Sequence, residues 1–508
     1  MLNFVTRVML MSMRQFVAIA LLLALHTASA AAVAERGLYI AQASDCGSCH
    51  TSQGGKPFAG GTPLKTPFGT IYGSNVTPDG ASGIGDWTEA DFDRALRQGV
   101  RKDGSYLYPA MPYANYTKMT VEDMHALWLY MRALAPIHNV VPKNTLPFPF
   151  NVRSSLLVWQ TLYFKPGAFE PDPKESEQWN RGAYLVQALG HCDQCHTPRN
   201  VGQGLRTDRE LTGAEIEGWY APDISGDSLS KVREWREQDL ARFFKTGSMP
   251  GNVKAAGPMQ EVVHDSLSHL TDTDLHALAI YLEHQPASPK PLAPSAVKWP
   301  RQADAQSLYR QQCATCHQND GKGIAGTVPA LAHNDAVTAA DPSNVVMAML
   351  EGFPAQGSWG AMGSFAQSLT DEQIADIANY VRTAWGNAAA PNATPWAVSS
   401  WRKYAQAPKS GSRALLCPDL SAQAMKPALA AGPDLLRQAA SDRNKMRQLV
   451  HDYQTDIPNA SSGEVIEALS TAYCRALADT AISEPRMSAQ IADFAQRVAI
   501  GLSGHKSM

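Results

Sequence analysis

The sequence predicts an all-α protein, three tandem helical repeats followed by a smaller helical extension. Three observations carry that expectation. The pentapeptide C-x-x-C-H occurs three times, as Cys46-Gly47-Ser48-Cys49-His50, Cys192-Asp193-Gln194-Cys195-His196 and Cys313-Ala314-Thr315-Cys316-His317. Each copy follows a short helical stretch with a tyrosine near its end: Arg36-Gly37-Leu38-Tyr39, Arg181-Gly182-Ala183-Tyr184 and Ser307-Leu308-Tyr309. Each precedes, at a distance, a helix with a sharp start at Thr120, Thr271 or Thr370, and ten residues beyond each threonine stands Tyr130, Tyr281 or Tyr380. The three stretches therefore align without gaps, the mark of an internal repeat.

Taken in order, residues 1–30 read as a signal peptide: Arg7 and Arg14 precede an apolar run from Phe16 to Leu25, and Ala28-Ser29-Ala30 offers a small-residue cleavage site. The first repeat is expected over 31–136, an interdomain segment over 137–173, and the second repeat over 174–286. A proline-rich strap over 287–300 joins it to the third repeat at 301–387. A linker over 388–411 leads to the C-terminal helical extension, 412–508. Thr120, Thr271 and Thr370 are N-caps whose side-chain oxygens accept a first-turn N–H. Gln373 makes the third a full capping box, while Asp123 and Asp274 make shorter versions. Additional helices are expected from Trp87 to Leu96, Trp235 to Phe244 and Pro342 to Leu350. The net charge is −3, with no basic footprint for nucleic acid. No segment after the leader reaches the roughly 18 apolar residues of a spanning helix.

C-x-x-C-H is the attachment signature of c-type haem. Two thiols three residues apart on one helical turn can form thioethers with both vinyl groups of one porphyrin, and the following histidine meets the iron. A redox dithiol or half a zinc site is the competing use of C-x-x-C. The fifth-position histidine in all three copies and the lack of a second nearby cysteine pair argue against both. Cys46, Cys49, Cys192, Cys195, Cys313 and Cys316 are thus the covalent anchors of three haem c groups, with His50, His196 and His317 as proximal ligands. The remaining cysteines, Cys417 and Cys474, form a candidate disulfide suited to an oxidising compartment.

A second axial ligand must come from a loop before the last helix of each repeat. Met111 in Tyr108-Pro109-Ala110-Met111-Pro112-Tyr113, Met259 in Gly257-Pro258-Met259 and Met362 in Gly360-Ala361-Met362-Gly363 each lie 8 to 12 residues before the capping threonine. Flanking proline or glycine should hold these methionines on loops. Met249, beside Pro250, competes with Met259. His125, His276 and His191 read as structural or solvated.

The chain resembles the three-haem cytochrome c subunits of membrane-bound bacterial dehydrogenases, of the alcohol and gluconate dehydrogenase type. The resemblance rests on Asn75-Val76-Thr77-Pro78-Asp79, Gly83-Ile84-Gly85-Asp86-Trp87, Leu107 to Tyr113, Trp179 to Tyr184 and Gly218-Trp219-Tyr220-Ala221-Pro222, and spans roughly residues 33–387. It implies three tandem cytochrome c-like domains and the axial pairs His50/Met111, His196/Met259 and His317/Met362. It further implies a periplasmic electron-transfer subunit, not itself a catalyst, at the outer face of the inner membrane. Its partners would be a flavin, quinoprotein or molybdenum-type catalytic subunit and ubiquinone or a downstream cytochrome or oxidase. The alternatives are a soluble multihaem shuttle and a peroxidase-type haem enzyme. The C-terminal extension departs from the family pattern.

Overall fold

The computed structural model describes residues 33–226, 234–249, 253–285, 304–324, 328–353, 360–405, 422–458 and 462–478, with a few single positions between 460 and 502. The expected signal peptide and the 287–300 strap lie outside these residues. The fold is mainly helical. It also contains antiparallel hairpins that the all-α expectation lacked, Pro63–Thr66 with Gly69–Tyr72 and Ala214–Ile216 with Trp219–Ala221. Each is only three or four residues per strand, too short to leave a period-two signature. The chain forms two compact units, one of residues 1–212, 223–249 and 254–291, the other of 213–222, 250–253 and 292–508.

The first unit holds the first two C-x-x-C-H turns. A helix over 33–43 leads to the helical turn Cys46–His50, and helices Glu89–Gln98 and Val121–Ala133 follow. The second segment repeats this order: Glu177–Tyr184, the turn Asp193–His196, then Glu237–Thr246 and Asp272–His284. Local chemistry explains the ends. Thr88 and Asp91 form a reciprocal capping box before Glu89, and Gly99 closes that helix in the left-handed conformation at φ 64°, which glycine adopts without steric cost. Thr120 and Thr271 accept the N–H groups of Asp123 and Asp274. In each segment the first and last helices cross at a glycine. A Cβ on Gly37 would stand 2.2 Å from the Ala126 carbonyl oxygen, and one on Gly182 would stand 2.0 Å from that of Ala277. Leu127, Leu185, Leu189, Leu240 and Leu275 fill the core beneath these crossings, and truncating such a leucine costs about 2–5 kcal/mol.

Within the interdomain segment, Leu156–Tyr163 is a helix. Its inner face carries Trp159, whose Nε1 donates to the Gly202 carbonyl, and Gln160, whose Nε2 donates to that of Gln98.

The second unit holds the third motif turn, Ala314–His317, with helices Ala305–Gln312, Ser343–Glu351 and Asp371–Thr383. The 214–221 hairpin belongs to this unit and is fixed by Asn344, which donates to the Tyr220 carbonyl and accepts its N–H. Pro395–Arg402, expected as linker, is a helix capped by Thr394 and tied by Arg402 to Asp371. The fully buried Arg382 donates to the carbonyls of Val337, Asp341 and Ala390 and to Asn392. Burial lowers its pKa to about 10, so it remains charged at neutral pH. The C-terminal extension is helical, with Ala422–Ala430, Gly432–Ala439, Arg443–Asp456 and Ser462–Ala478 around their own core of Leu449, Tyr453, Leu469 and Tyr473.

Candidate functional site

The backbone prepares two of the motif histidines as candidate ligands. His50 Nδ1 lies 2.7 Å from the Ser74 carbonyl oxygen, and His317 Nδ1 lies 3.0 Å from that of Pro329. A ring that donates Nδ1–H to a carbonyl exposes its Nε2 lone pair in a fixed orientation. Burial holds both imidazoles below their ordinary pKa against the opposing pull of the carbonyl, so both are neutral at pH 7. His196 is buried as well. Gly73, just past the strand Gly69–Tyr72, allows the backbone to approach the first motif, since a Cβ there would sit 1.8 Å from the Cys49 carbonyl oxygen. Burial pushes the thiols of Cys46, Cys192 and Cys313 up to about 12, with Asp45, Asp193 and neighbouring motif cysteines adding to the shift in turn.

These residues fit haem c. The motif thiols lie on helical turns beside the prepared imidazoles. Around the second motif, Trp179 Nε1 and Arg209 Nε are buried donors without an acceptor among the described residues. Trp179 packs edge-on to Tyr281, 4.9 Å between ring centroids, and the Tyr281 hydroxyl accepts from Gln187 Nε2 at 3.1 Å. The segment carrying Arg209 is anchored next to His196 through Leu211 N–H to Thr197 Oγ1 at 2.9 Å. Buried donors need acceptors, and the propionates of a haem bound there would be suited to supply them.

The three methionines differ in backbone setting. Met111 lies in a tight turn, its N–H bonded to the Tyr108 carbonyl and its own carbonyl accepting from Tyr113. Met259, expected on a loop, is the second residue of helix Pro258–Asp265, because Pro258 is pre-set for a first helical position. Met362 is likewise no free loop residue, being paired with Phe353 in an isolated antiparallel bridge. Met249 lies in the two-residue strand Ser248–Met249.

The first two segments share a reciprocal polar joint that their sequences did not announce. Arg36 donates to Asp123 at 2.9 and 2.6 Å, and Tyr184 from the other segment donates to the same carboxylate at 2.7 Å. In mirror fashion, Arg181 donates to Asp274 at 2.8 and 2.6 Å, and Tyr39 donates to that carboxylate. Each tyrosine oxygen also accepts the N–H of the opposite capping threonine, Thr120 at 3.1 Å and Thr271 at 3.3 Å. Asp123 and Asp274 are thus turned to arginine and tyrosine, and the threonine N–H finds its partner across the joint. At the third motif Gln373 accepts the Thr370 N–H at 3.0 Å, and Tyr309 donates to Gln318 of its own segment.

The loop carrying Met111 also reaches the second motif. Asn115 donates to the Gln187 carbonyl and Asp193 and accepts from Gln194, while Tyr116 donates to the Ser44 carbonyl at 2.7 Å. His191 packs edge-on to Tyr116, 5.9 Å between ring centroids. His125 and His276 pair with Glu89 and Glu237 at 2.7 Å, linking the last helix of each segment to the middle one. Cys417 lies outside the described residues; Cys474 is fully buried in the C-terminal core and disulfide-bonded.

The family model for cytochrome c matches residues 302–385. The chain is 37% identical over 398 residues to the gluconate 2-dehydrogenase cytochrome c subunit of Pantoea cypripedii, covering 73% of this chain and 90% of that one. It is 39% identical over 394 residues to the fructose dehydrogenase cytochrome subunit of Gluconobacter japonicus, covering 70% and 80%. It is 40% identical over 364 residues to a nicotinate dehydrogenase subunit of Pseudomonas putida, covering 69% of this chain but only 30% of that longer protein.

Proposed function

Because the chain belongs to the family of dehydrogenase cytochrome c subunits, whose members transfer electrons and are not themselves the catalysts of their complexes, we propose that it relays electrons through three haem c groups. The donor is a catalytic subunit that oxidises its substrate in the periplasm. The acceptor is ubiquinone or a downstream cytochrome or oxidase. The relatives' names, gluconate, fructose and nicotinate dehydrogenase, support a dehydrogenase catalytic subunit as the partner; that it is of the flavin, quinoprotein or molybdenum type is part of the proposal. No described helix is long and apolar enough to cross a membrane, and the proposal places the chain peripherally on the outer face of the inner membrane.

The axial pairs are His50 with Met111, His196 with Met259 and His317 with Met362. When bound, the haem iron supplies one-electron chemistry whose potential a thioether ligand raises. The protein's part is to hold the imidazoles neutral and oriented, to bring each methionine up on a braced backbone, and to keep the first two sites in a fixed relation through the Tyr–Asp joint. The observation that carries the reading is the threefold C-x-x-C-H, with Nδ1 of His50 and His317 committed to a carbonyl. Counting haem by pyridine haemochrome on the purified protein tests it: three per chain are expected, and two or fewer would reject the relay as drawn. Rapid carbon monoxide binding to the reduced native protein would instead favour a haem enzyme with an open iron.

A further inference from the structure

The helix Leu156–Tyr163 has its amphipathicity reversed. Its inner face is made of Trp159, Gln160 and Tyr163. Trp159 and Gln160 donate to the Gly202 and Gln98 carbonyls, and Tyr163 packs so closely over Gly204 that a Cβ there would meet its ring at 2.5 Å. The outer face is aliphatic: Leu157, Val158 and Leu162 are 50, 63 and 64% exposed. Positions 157, 158, 161 and 162 fall on one side of a helix with 3.6 residues per turn. Immediately upstream, Phe148, Phe150 and Val152 are also exposed. Six of the fifteen exposed large hydrophobic side chains among the described residues thus fall within fifteen positions of the sequence. Concentration of this kind marks an interaction surface rather than scattered apolar exposure.

The charge around it selects the partner. No acidic residue stands between Asp123 and Glu170, whereas Arg132, Lys143, Arg153 and Lys165 do, in a chain whose net charge is −3. Lys143 and Lys165 flank the apolar stretch and are exposed. An outward aliphatic face bracketed by lysines, with Trp159, Tyr163 and Phe164 close by, has the composition of a helix that lies in the headgroup region of an anionic bilayer.

We infer that residues 148–165 form the membrane-docking surface of this protein, with the helix Leu156–Tyr163 lying parallel to the bilayer, its outer face in the acyl boundary and Lys143 and Lys165 at the lipid phosphates. The surface is distinct from the C-terminal extension. The inference builds on the peripheral membrane association proposed above and adds which residues make it.

The test is vesicle flotation of the mature, haem-loaded chain with phosphatidylcholine vesicles containing roughly a third phosphatidylglycerol. The wild type is expected to float with these vesicles. The variant Leu157→Ser/Val158→Ser/Leu162→Ser should lower the partition coefficient at least ten-fold with an unchanged Soret spectrum and haem count. Lys143→Glu/Lys165→Glu should weaken binding and flatten its salt dependence. Equal flotation of wild type and the triple-serine variant overturns the proposal, as does flotation of neither. A third overturning result is protection of 148–165 from hydrogen exchange only when the catalytic subunit is present, which would give the surface a protein occupant. Haem count and reducibility are read on the same samples, so failure here is separable from failure of the relay.

Discussion

The Tyr184 hydroxyl donates to the Asp123 carboxylate at 2.7 Å and accepts the Thr120 N–H at 3.1 Å, so one oxygen from the second segment completes the N-terminus of the last helix in the first. Tyr39 returns the arrangement at Asp274 and Thr271. A buried carboxylate left with one fewer donor loses more than the net value of an ordinary hydrogen bond, about 1–3 kcal/mol. Tyr184→Phe should therefore destabilise the first unit by about that much. Tyr39→Phe should do the same, and since Arg181 of the Asp274 site also lies over the Tyr184 ring, 5.6 Å to its centroid, the double variant should depart from additivity. Denaturant titrations of the haem-loaded chain, followed by tyrosine-independent far-ultraviolet dichroism, would measure both.

The same joint carries a pH dependence. Burial works against ionisation of Asp274, but donation from Arg181 and Tyr39 together with the Arg181 charge outweighs it and sets the carboxyl below its ordinary value. A depressed carboxyl contributes stability that is fully present above its unfolded pKa of about 4 and is lost as pH falls through the folded value. Acid titration of unfolding free energy should show this loss below about pH 4, and Asp274→Asn should remove that part of the dependence. An unchanged acid limb in the variant would contradict the assignment.

Gly182→Ala places a methyl group where the Ala277 carbonyl oxygen already stands, at 2.0 Å. The crossing helices must separate, and overpacking of this kind costs about 1–3 kcal/mol. A lowered melting temperature is expected for this variant and for Gly37→Ala, while Ser307→Ala in the third segment should be close to neutral.

Arg382→Met should destabilise the second unit by about 3 kcal/mol or more. It leaves the carbonyls of Val337, Asp341 and Ala390 and the Asn392 amide oxygen short of a donor, and several unsatisfied buried groups fall in the severe class of substitutions. Limited proteolysis should then cut first within residues 304–402, and an intact digestion pattern would count against the role.

Met111→Ala, Met259→Ala and Met362→Ala should each lower the midpoint potential of one site and leave the other two unchanged, because loss of a thioether ligand removes the term that raises the potential. Met249→Ala should leave all three in place. Redox titration of each variant decides between Met259 and Met249.

Much of the framework was legible from residue types alone. The motif cysteines and histidines, the capping threonines and the aligned tyrosines are local patterns with local causes, and the Thr370–Gln373 box formed as its letters implied. The joint between the first two segments was not legible. Asp123 and Asp274 read as ordinary cap residues, and only folding shows that they face Tyr184 and Tyr39 from some sixty and more than two hundred positions away. An aspartate where the third copy has glutamine was no sufficient signal, since Asp91 does accept the Thr88 N–H in its own capping box. The helix Leu156–Tyr163 escaped because eight residues apolar on most sides give no clean period, and Met259 became helical because Pro258 starts a helix as readily as it shapes a loop.

Gln373 makes the last C-x-x-C-H segment complete at its own helix terminus, whereas its two predecessors each depend on a side chain borrowed from the other. A crossover in the gene before residue 304 would hand on a module with no orphaned donor there, and one between residues 134 and 176 would leave two. Inheritance should thus treat the leading segments as an indivisible couple and the trailing one as a transferable piece.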